Sequence, residues 1–314
     1  KNPNFYLLIG NANPGLLQVA ISGKWCNNVE NDIKNNKIFD LWHCKLGHPS
    51  INTVKSVLKS NKINVNDISL PYICSACQIG KNHKLPFINS STKYTKPLEM
   101  VATDLWGPAP INSDFGFKYY ISFVDSFSRH TWIYFLKTKT ETHRAVIQFI
   151  TQVERQLNLQ LKIIQTDGGA EFKPLKNYFL EKGIIHRTTC PYTSEQNGLV
   201  ERKHRHIVDT CITLLAHASM PLKFWPDAFN SAVHLINRMP TKVLQNKTPL
   251  ELLFNIVPDY NSLKTYGCLC FPYMRPYNSH KLSKRSTSCT FIGYSSNQKG
   301  YKCLANKGRV YISR

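Results

Sequence analysis

Apolar positions follow two periods along this chain, and their alternation predicts a mixed α/β protein. Aromatic and β-branched runs bounded by turn residues read as strands. They are Met100 to Trp106, Tyr119 to Val124, Thr131 to Leu136, Leu161 to Gln165 and a short run opening at Ile184-Ile185. Asp125-Ser126-Phe127-Ser128-Arg129 separates the second and third, which predicts an antiparallel hairpin. Helical spacing predicts helices over 51–58, 141–158, 174–182, 195–218, 222–238 and 248–255. On the longest, Val200, Ile207, Cys211, Leu214 and Ala218 are expected to form the buried stripe. From Tyr266 the pattern is strand-rich again, broken at Gly293, Gly300 and Gly308. The first forty residues hold two strand-like runs, Phe5 to Ile9 and Leu16 to Ala20, and no legible chemistry. Residues 85–98, with Pro86, Pro97, Ser/Thr and several Lys, have linker composition.

Composition narrows the partners. The chain has 314 residues, room for two or three domains, and 42% apolar content is enough for a packed core. Forty Lys+Arg against nineteen Asp+Glu leave a formal charge of +21, the footprint of a protein that binds a polyanion, usually nucleic acid. A basic ribosomal or membrane-surface protein is the alternative on charge alone. No apolar run approaches the roughly 20 residues of a membrane span, and no signal peptide is visible. The chain opens on Lys1-Asn2-Pro3 and ends on strand-like Val310 to Ser313, so it reads as a fragment of something longer. Ten Cys are scattered with a single tight pair, which points to a reducing compartment and one metal site rather than a disulfide framework.

That pair is Cys74-Ser75-Ala76-Cys77, and upstream of it stand His43 and His48 with four residues between them. Two imidazoles and two thiolates suit tetrahedral Zn²⁺, and a closed set of four leaves no open position, so the metal is expected to be structural. Cys44 and His83 are spare ligands of lower rank.

Acids are scarce here, which makes carboxylates at strand ends informative. Asp104 closes one apolar strand, Asp167 follows another before Gly168-Gly169, and Glu201 lies near the start of the long helix. Three carboxylates brought together are costly unless cations neutralise them, and hard oxygen ligands suit Mg²⁺ or Mn²⁺. Two such ions about 4 Å apart serve in-line phosphoryl displacement. Arg202, Lys203, His204 and Arg205 follow Glu201 and could bring positive charge to DNA phosphates. Each residue also has a plainer role: Asp104 and Asp167 as turn or cap residues, Glu201 as a surface partner of Arg205. Glu171 and Glu195 compete for the third carboxylate, and Asp114 and Asp125 look like turn residues. The element order matches an RNase H-like core, in which carboxylates gather at adjacent strand ends and on a facing helix.

Taken together these pieces resemble the integrases of copia-type LTR retrotransposon polyproteins. The resemblance rests on Leu41-Trp42-His43 with Leu46-Gly47-His48-Pro49, Cys74-x-x-Cys77 with Gly80-Lys81, and Thr103-Asp104-Leu105-Trp106-Gly107-Pro108. It continues through Thr166 to Phe172, Cys190 to Thr193, Gln196-Asn197-Gly198-Leu199-Val200-Glu201-Arg202, Phe291 to Ser295 and Lys299-Gly300-Tyr301. Each piece is weak alone; their number and order are specific.

The resemblance implies a gag-pre-integrase tail over 1–40, an HHCC zinc domain over 41–84, a linker over 85–98, an RNase H-like catalytic core over 99–258, and a truncated β-rich C-terminal domain over 259–314. It implies structural Zn²⁺ on His43, His48, Cys74 and Cys77, and catalytic Mg²⁺ or Mn²⁺ on Asp104, Asp167 and Glu201, with Arg202, Lys203 and Arg205 contacting DNA. The implied activity is 3′-end processing of element DNA and its strand transfer into target DNA. Its setting is a homo-oligomer, in the nucleus for integration and in a cytoplasmic particle before it, with no membrane partner. Departures exist: the Asp167 to Glu201 interval is slightly short, Ser194-Glu195 replaces a more usual Pro-Gln, and Gly168-Gly169 replaces Asn-Gly or Asp-Gly types. None touches the triad. The competing readings are a catalytically dead or domesticated copy that only binds nucleic acid, and an RNase H-type nuclease that cuts without joining.

Overall fold

The computed structural model describes residues 38–63, 74–81, 92–190, 194–278, 280–295, 298–306 and 308–314. It divides into two compact units, 1–89 and 90–314. The strands expected near residues 5–9 and 16–20, and the first half of the linker, lie outside the described residues.

In the first unit, helix α1 covers described residues 38–45, followed by α2 (Ile51–Ser60) and α3 (Ser75–Gly80). Ser50 caps α2, its hydroxyl accepting the Thr53 N–H at 3.3 Å. Val54 and Leu58, one helical turn apart, pack on Phe39 with Trp42 and Ile63 at the edge. Among the described residues this cluster is small and by itself supplies little stability.

The second unit is built on a five-stranded sheet in the order β3-β2-β1-β4-β5. Its strands are β1 (Val101–Trp106), β2 (Tyr119–Asp125), β3 (Thr131–Leu136), β4 (Ile163–Thr166) and β5 (Ile185–Thr188). The first three pair antiparallel, while β4 runs parallel to both β1 and β5. Parallel pairing needs a crossover. Helix α4 (Thr142–Leu157) supplies the first, and a 3₁₀ segment (Ala170–Leu175) with α5 (Lys176–Glu181) supplies the second. One face of the sheet is covered by α4, where Phe149 stacks on Phe123 with ring centroids 3.9 Å apart. The other is covered by α6 (Gly198–His217) and α7 (Trp225–Ile236), packed through Tyr120, Ile207, Cys211 and Phe229. Burial on both faces is why β2 reads as an almost unbroken apolar run. A short helix α8 (Pro249–Phe254) follows, with a capping box between Thr248 and Glu251.

A second sheet, antiparallel and ordered β6 (Leu269–Cys270), β7 (Cys289–Tyr294), β8 (Tyr301–Ala305), β9 (Val310–Ser313), packs on α7. Ile292 and Tyr266 enter the same apolar cluster as α6 and α7, and Lys302 bonds Asp227 at 2.9 Å. Gly293 lies against α7, where a Cβ would stand 2.4 Å from the Ser231 hydroxyl. Among the described residues, no helix is long and apolar enough to cross a membrane.

Three local readings change. The stripe of α6 is Val200, His204, Ile207, Cys211 and Leu215, with Leu214 and Ala218 only half-buried. The segment expected as one helix over 174–182 is split: a 3₁₀ segment with Pro174 inside it runs to Leu175, and α5 begins at Lys176. Asp125 is no solvent-facing turn residue. It ends β2 fully buried, accepting the N–H groups of Leu98 and Ser128 and the Ser128 hydroxyl at 2.7–2.9 Å.

Candidate active site and metal centre

The first unit brings its four expected ligands to one point. His43 comes from α1, His48 from the turn before α2, Cys74 from the cap of α3 and Cys77 from its first turn. Their ligand atoms all lie within 4.8 Å of one another. His43 Nε2 is 3.2 Å from Cys77 Sγ, and His48 Nδ1 is 3.5 Å from Cys74 Sγ. With metal distances of about 2.0–2.1 Å to nitrogen and 2.3 Å to sulfur, a tetrahedron separates N and S by roughly 3.6 Å, so the set fits Zn²⁺. Positive φ at Gly47 and His48 turns the chain tightly enough to face both imidazoles inward. Desolvation, then the Cys74 thiol, push Cys77 above the ordinary thiol range, a cost that a bound cation reverses. Cys44 is exposed and outside this group, and His83 lies outside the described residues.

The second unit gathers the carboxylates. Parallel β1 and β4 pair Val101 with Ile164 and Ala102 with Gln165, and the same register two residues on sets Asp104 beside Asp167. Gly169 donates its N–H to Asp167 Oδ1 at 2.9 Å, an Asx turn that fixes this carboxylate at the strand end. Gly169 has a second use, since a Cβ there would meet the Glu171 carboxylate at 2.7 Å. Glu201 is delivered by the first turn of α6. Three hydrogen bonds hold that helix start down: Asn197 Nδ2 to Thr103 O (3.5 Å), Gln165 Nε2 to Gln196 O (2.8 Å) and Cys190 N–H to Gln196 Oε1 (2.8 Å). Val200 packs into a pocket of Met100, Ala102 and Val124.

Electrostatics show the same convergence. Burial first, and the Asp167 carboxylate second, push Asp104 up to about 7; the Leu105 N–H on Oδ1 opposes the shift, and Glu201 and Glu171 add repulsion. Asp104 therefore feels the charge of three further acids, and carboxylate oxygens are donors that suit a hard divalent cation. Glu171, a competitor for the third carboxylate, adds its charge to Asp104 as Glu201 does. The side chain of Glu195 lies outside the described residues. Asp114 is exposed and faces Lys223 at 3.4 Å.

His204 was grouped with the DNA-facing bases, and the structure turns it inward. Its Nδ1 lies 2.7 Å from the Tyr120 hydroxyl, and its Nε2 lies 3.3 Å from Ser122 Oγ and 3.5 Å from Asp104 Oδ2. Burial holds this imidazole down to about 4, so it is neutral at neutral pH. The phenol stays protonated and donates to Nδ1, which leaves the Nε2 hydrogen for Ser122 and Asp104. Its place four residues after Val200 in the buried stripe was the signal in the sequence. Arg202 and Arg205 are exposed. Lys203 is half-buried, and since two residues turn a helix by about 200° it leaves α6 on the flank away from Glu201.

Comparisons with known proteins come down to the same architecture. The GAG-pre-integrase domain family matches residues 17–82, the Integrase core domain family 94–194, and the Retroviral polymerase SH3-like domain family 268–314. The core match contains Asp104 and Asp167 and stops short of Glu201. The Pol polyprotein of transposon RE2 from Arabidopsis thaliana is 46% identical over 275 residues, 87% of this chain and 19% of that protein. That of transposon TNT 1-94 from Nicotiana tabacum is 33% identical over 279 residues, 88% of this chain and 21% of that one. The chain thus spans about a fifth of the length of the relatives it matches. A chain of the simian T-cell lymphotropic virus intasome, solved with PP2A regulatory subunit B56 gamma, superposes with a TM-score of 0.50 at 16% identity. It covers 89% of this chain and 95% of that one, a likeness of fold alone.

Proposed function

The chain belongs to the integrase region of copia-type retrotransposon Pol polyproteins, and from that premise we propose that it joins element-end DNA to target DNA in a metal-dependent reaction. The observation that supports this most is the β1–β4 register, which sets Asp104 beside Asp167, together with the repulsion Asp104 feels from Asp167 and from Glu201 on the first turn of α6. These carboxylates would hold Mg²⁺ or Mn²⁺, which when bound would supply activation of the attacking oxygen and stabilisation of the departing 3′ oxygen. Glu171 adds charge to the same point, and His204 orients Asp104. Arg202 and Arg205 neutralise backbone phosphates near the reacting bond without reading sequence. In processing, water attacks near the 3′ end of the element DNA. In joining, the freed 3′ hydroxyl attacks a target phosphodiester, and one P–O bond forms as another breaks. Zn²⁺ on His43, His48, Cys74 and Cys77 has a structural role, offsetting the thin core of the first unit. The working form is a homo-oligomer on paired DNA ends, acting in the nucleus after a cytoplasmic particle stage.

The test is the product. Purified protein, an oligonucleotide with the element's end sequence and Mg²⁺ or Mn²⁺ should give strands longer than the input. Shortened strands alone would mean a hydrolase of the same fold, and unaltered DNA with normal binding would mean an inert copy.

A further inference from the structure

The end strand of a sheet is ordinarily blunted by a charge, a proline or a bulge, because its outward backbone groups can pair with another chain. Strand β3 ends the five-stranded sheet, and Thr131-Trp132-Ile133-Tyr134-Phe135-Leu136 carries none of these. The strand at the other end, β5, carries Arg187. Asn237, just after α7, shows where a neighbouring strand would lie. Its side-chain amide accepts the Thr131 N–H at 2.9 Å and donates to Thr131 O at 2.8 Å, the two bonds that a paired strand makes. Thr131 therefore faces away from β2. Backbone direction alternates along an antiparallel strand, so Ile133 and Phe135 face away as well. The Lys118 N–H, just before β2, bonds Leu136 O at 3.0 Å, which fits the same alternation. No side chain bonds the backbone of Ile133 or Phe135 among the described residues.

These groups open into a groove of about 670 Å³ between α4 and α7. One wall is Gln148, Gln152 and Gln156, four residues apart and so a single stripe of α4. Gln152 accepts the Tyr134 hydroxyl at 2.9 Å. The other wall includes Asn230, Asn237 and Arg238. The Arg238 guanidinium donates to His234 O at 2.9 Å, which holds it at the end of α7, where Asn237 meets Thr131. Among the described residues, no Asp or Glu lines the groove and no acid lies within 4.0 Å of Arg238.

We propose that this edge takes an extended acidic peptide of a partner protein, which adds to β3 as a sixth strand and sets a carboxylate on Arg238. Alternating main-chain N–H and C=O groups are matched by another main chain, whereas a phosphodiester offers acceptors only and leaves the C=O groups unanswered. Side-chain amides on both walls donate and accept, and so serve a polar strand of any sequence. A guanidinium in a groove without acids selects negative charge. This role goes beyond DNA joining, and the test does not use that reaction.

The probe is a fluorescein-labelled peptide of alternating Val and Glu, about seven residues long. It is compared with a peptide carrying Lys for Glu, and with two N-methylated at one or the other set of alternate residues. Binding is read by anisotropy with saturating duplex DNA present. The acidic peptide should bind saturably, and the Lys peptide at least about ten-fold more weakly, the worth of a charged hydrogen bond. Methylating the set whose N–H groups face β3 should abolish binding, and methylating the other set should leave it. Gln152→Glu keeps the Tyr134 bond and the parent's melting temperature but puts negative charge in the groove, and Arg238→Gln removes the cation. Each should weaken the acidic peptide by about ten-fold or more. No binding, equal binding of acidic and basic peptides, or equal effects of the two methylations overturns the proposal. So does binding that vanishes once DNA is present, which would put the peptide on the DNA face. A parent that sediments as a dimer and becomes monomeric in Gln152→Glu would give this edge to a second copy, and overturns it too.

Discussion

At the scale of single residues, Asp104 is the crowded member of its group. A divalent ion should relieve that crowding and so stabilise the folded state, as any ligand of the native form does. Adding Mg²⁺ should raise the melting temperature of the parent by a few degrees. Asp104→Asn should raise the metal-free melting temperature and abolish the response to Mg²⁺; a variant that still responds would place the ion elsewhere. His204 acts through Asp104. Groups that orient metal-binding carboxylates typically contribute about 10–100-fold, so His204→Phe should slow joining by that much and raise the Mn²⁺ concentration needed for half-maximal rate. DNA affinity should stay within about two-fold, since the imidazole faces inward. A rate loss that Mn²⁺ does not shift would mean a packing defect instead. Asp104, inside β1, and Asp167, just after β4, were visible in the sequence because acids are rare here and each follows an apolar run. The partner of Asp104 was not, because a histidine among Arg and Lys looks like one more base until the 200, 204, 207, 211 spacing is seen to be buried.

Among elements, the sequence was most legible where periodicity was long. Helix α4, the β2–β3 hairpin and α6 all stand within a residue or two of the pattern, apart from the first residues of α6, where Ser194–Asn197 coil as 3₁₀. The break after Leu175 was missed because apolar spacing continues across it. The docking of β7 on α7 left no periodic trace; its signs are single residues, Gly293 with no room for a side chain and Ile292 in a shared core. Among elements, too, lies the dependence on zinc. Among the described residues only Phe39, Val54 and Leu58 are buried between α1 and α2, whereas α3 is tied in by Cys74 and Cys77. Cys74→Ser should lose the bound zinc and the helical signal of α2, while the clusters around Phe149 and Phe229 keep the second unit's unfolding midpoint. Full zinc retention, read by metal analysis of the purified variant, would reject the ligand set.

For the whole molecule, the governing quantity is the charge of +21. It makes association with any polyanion favourable at low salt and says nothing of chemistry. Affinity for duplex DNA should therefore fall steeply between about 50 and 200 mM salt in the parent and in carboxylate variants alike. What separates an enzyme from a basic nucleic-acid-binding fold is a few charges of the opposite sign set within that positive field. The most direct measurement is single-turnover joining of an element-end oligonucleotide to target DNA, with Mn²⁺, at matched DNA occupancy, for the parent and for Asp104→Asn, Asp167→Asn and Glu201→Gln. Joined product from the parent and none above about a thousandth of that rate from each variant is the predicted result. Joining that survives in any one of the three would contradict the assignment of that carboxylate, and with it the account of how this fold handles DNA.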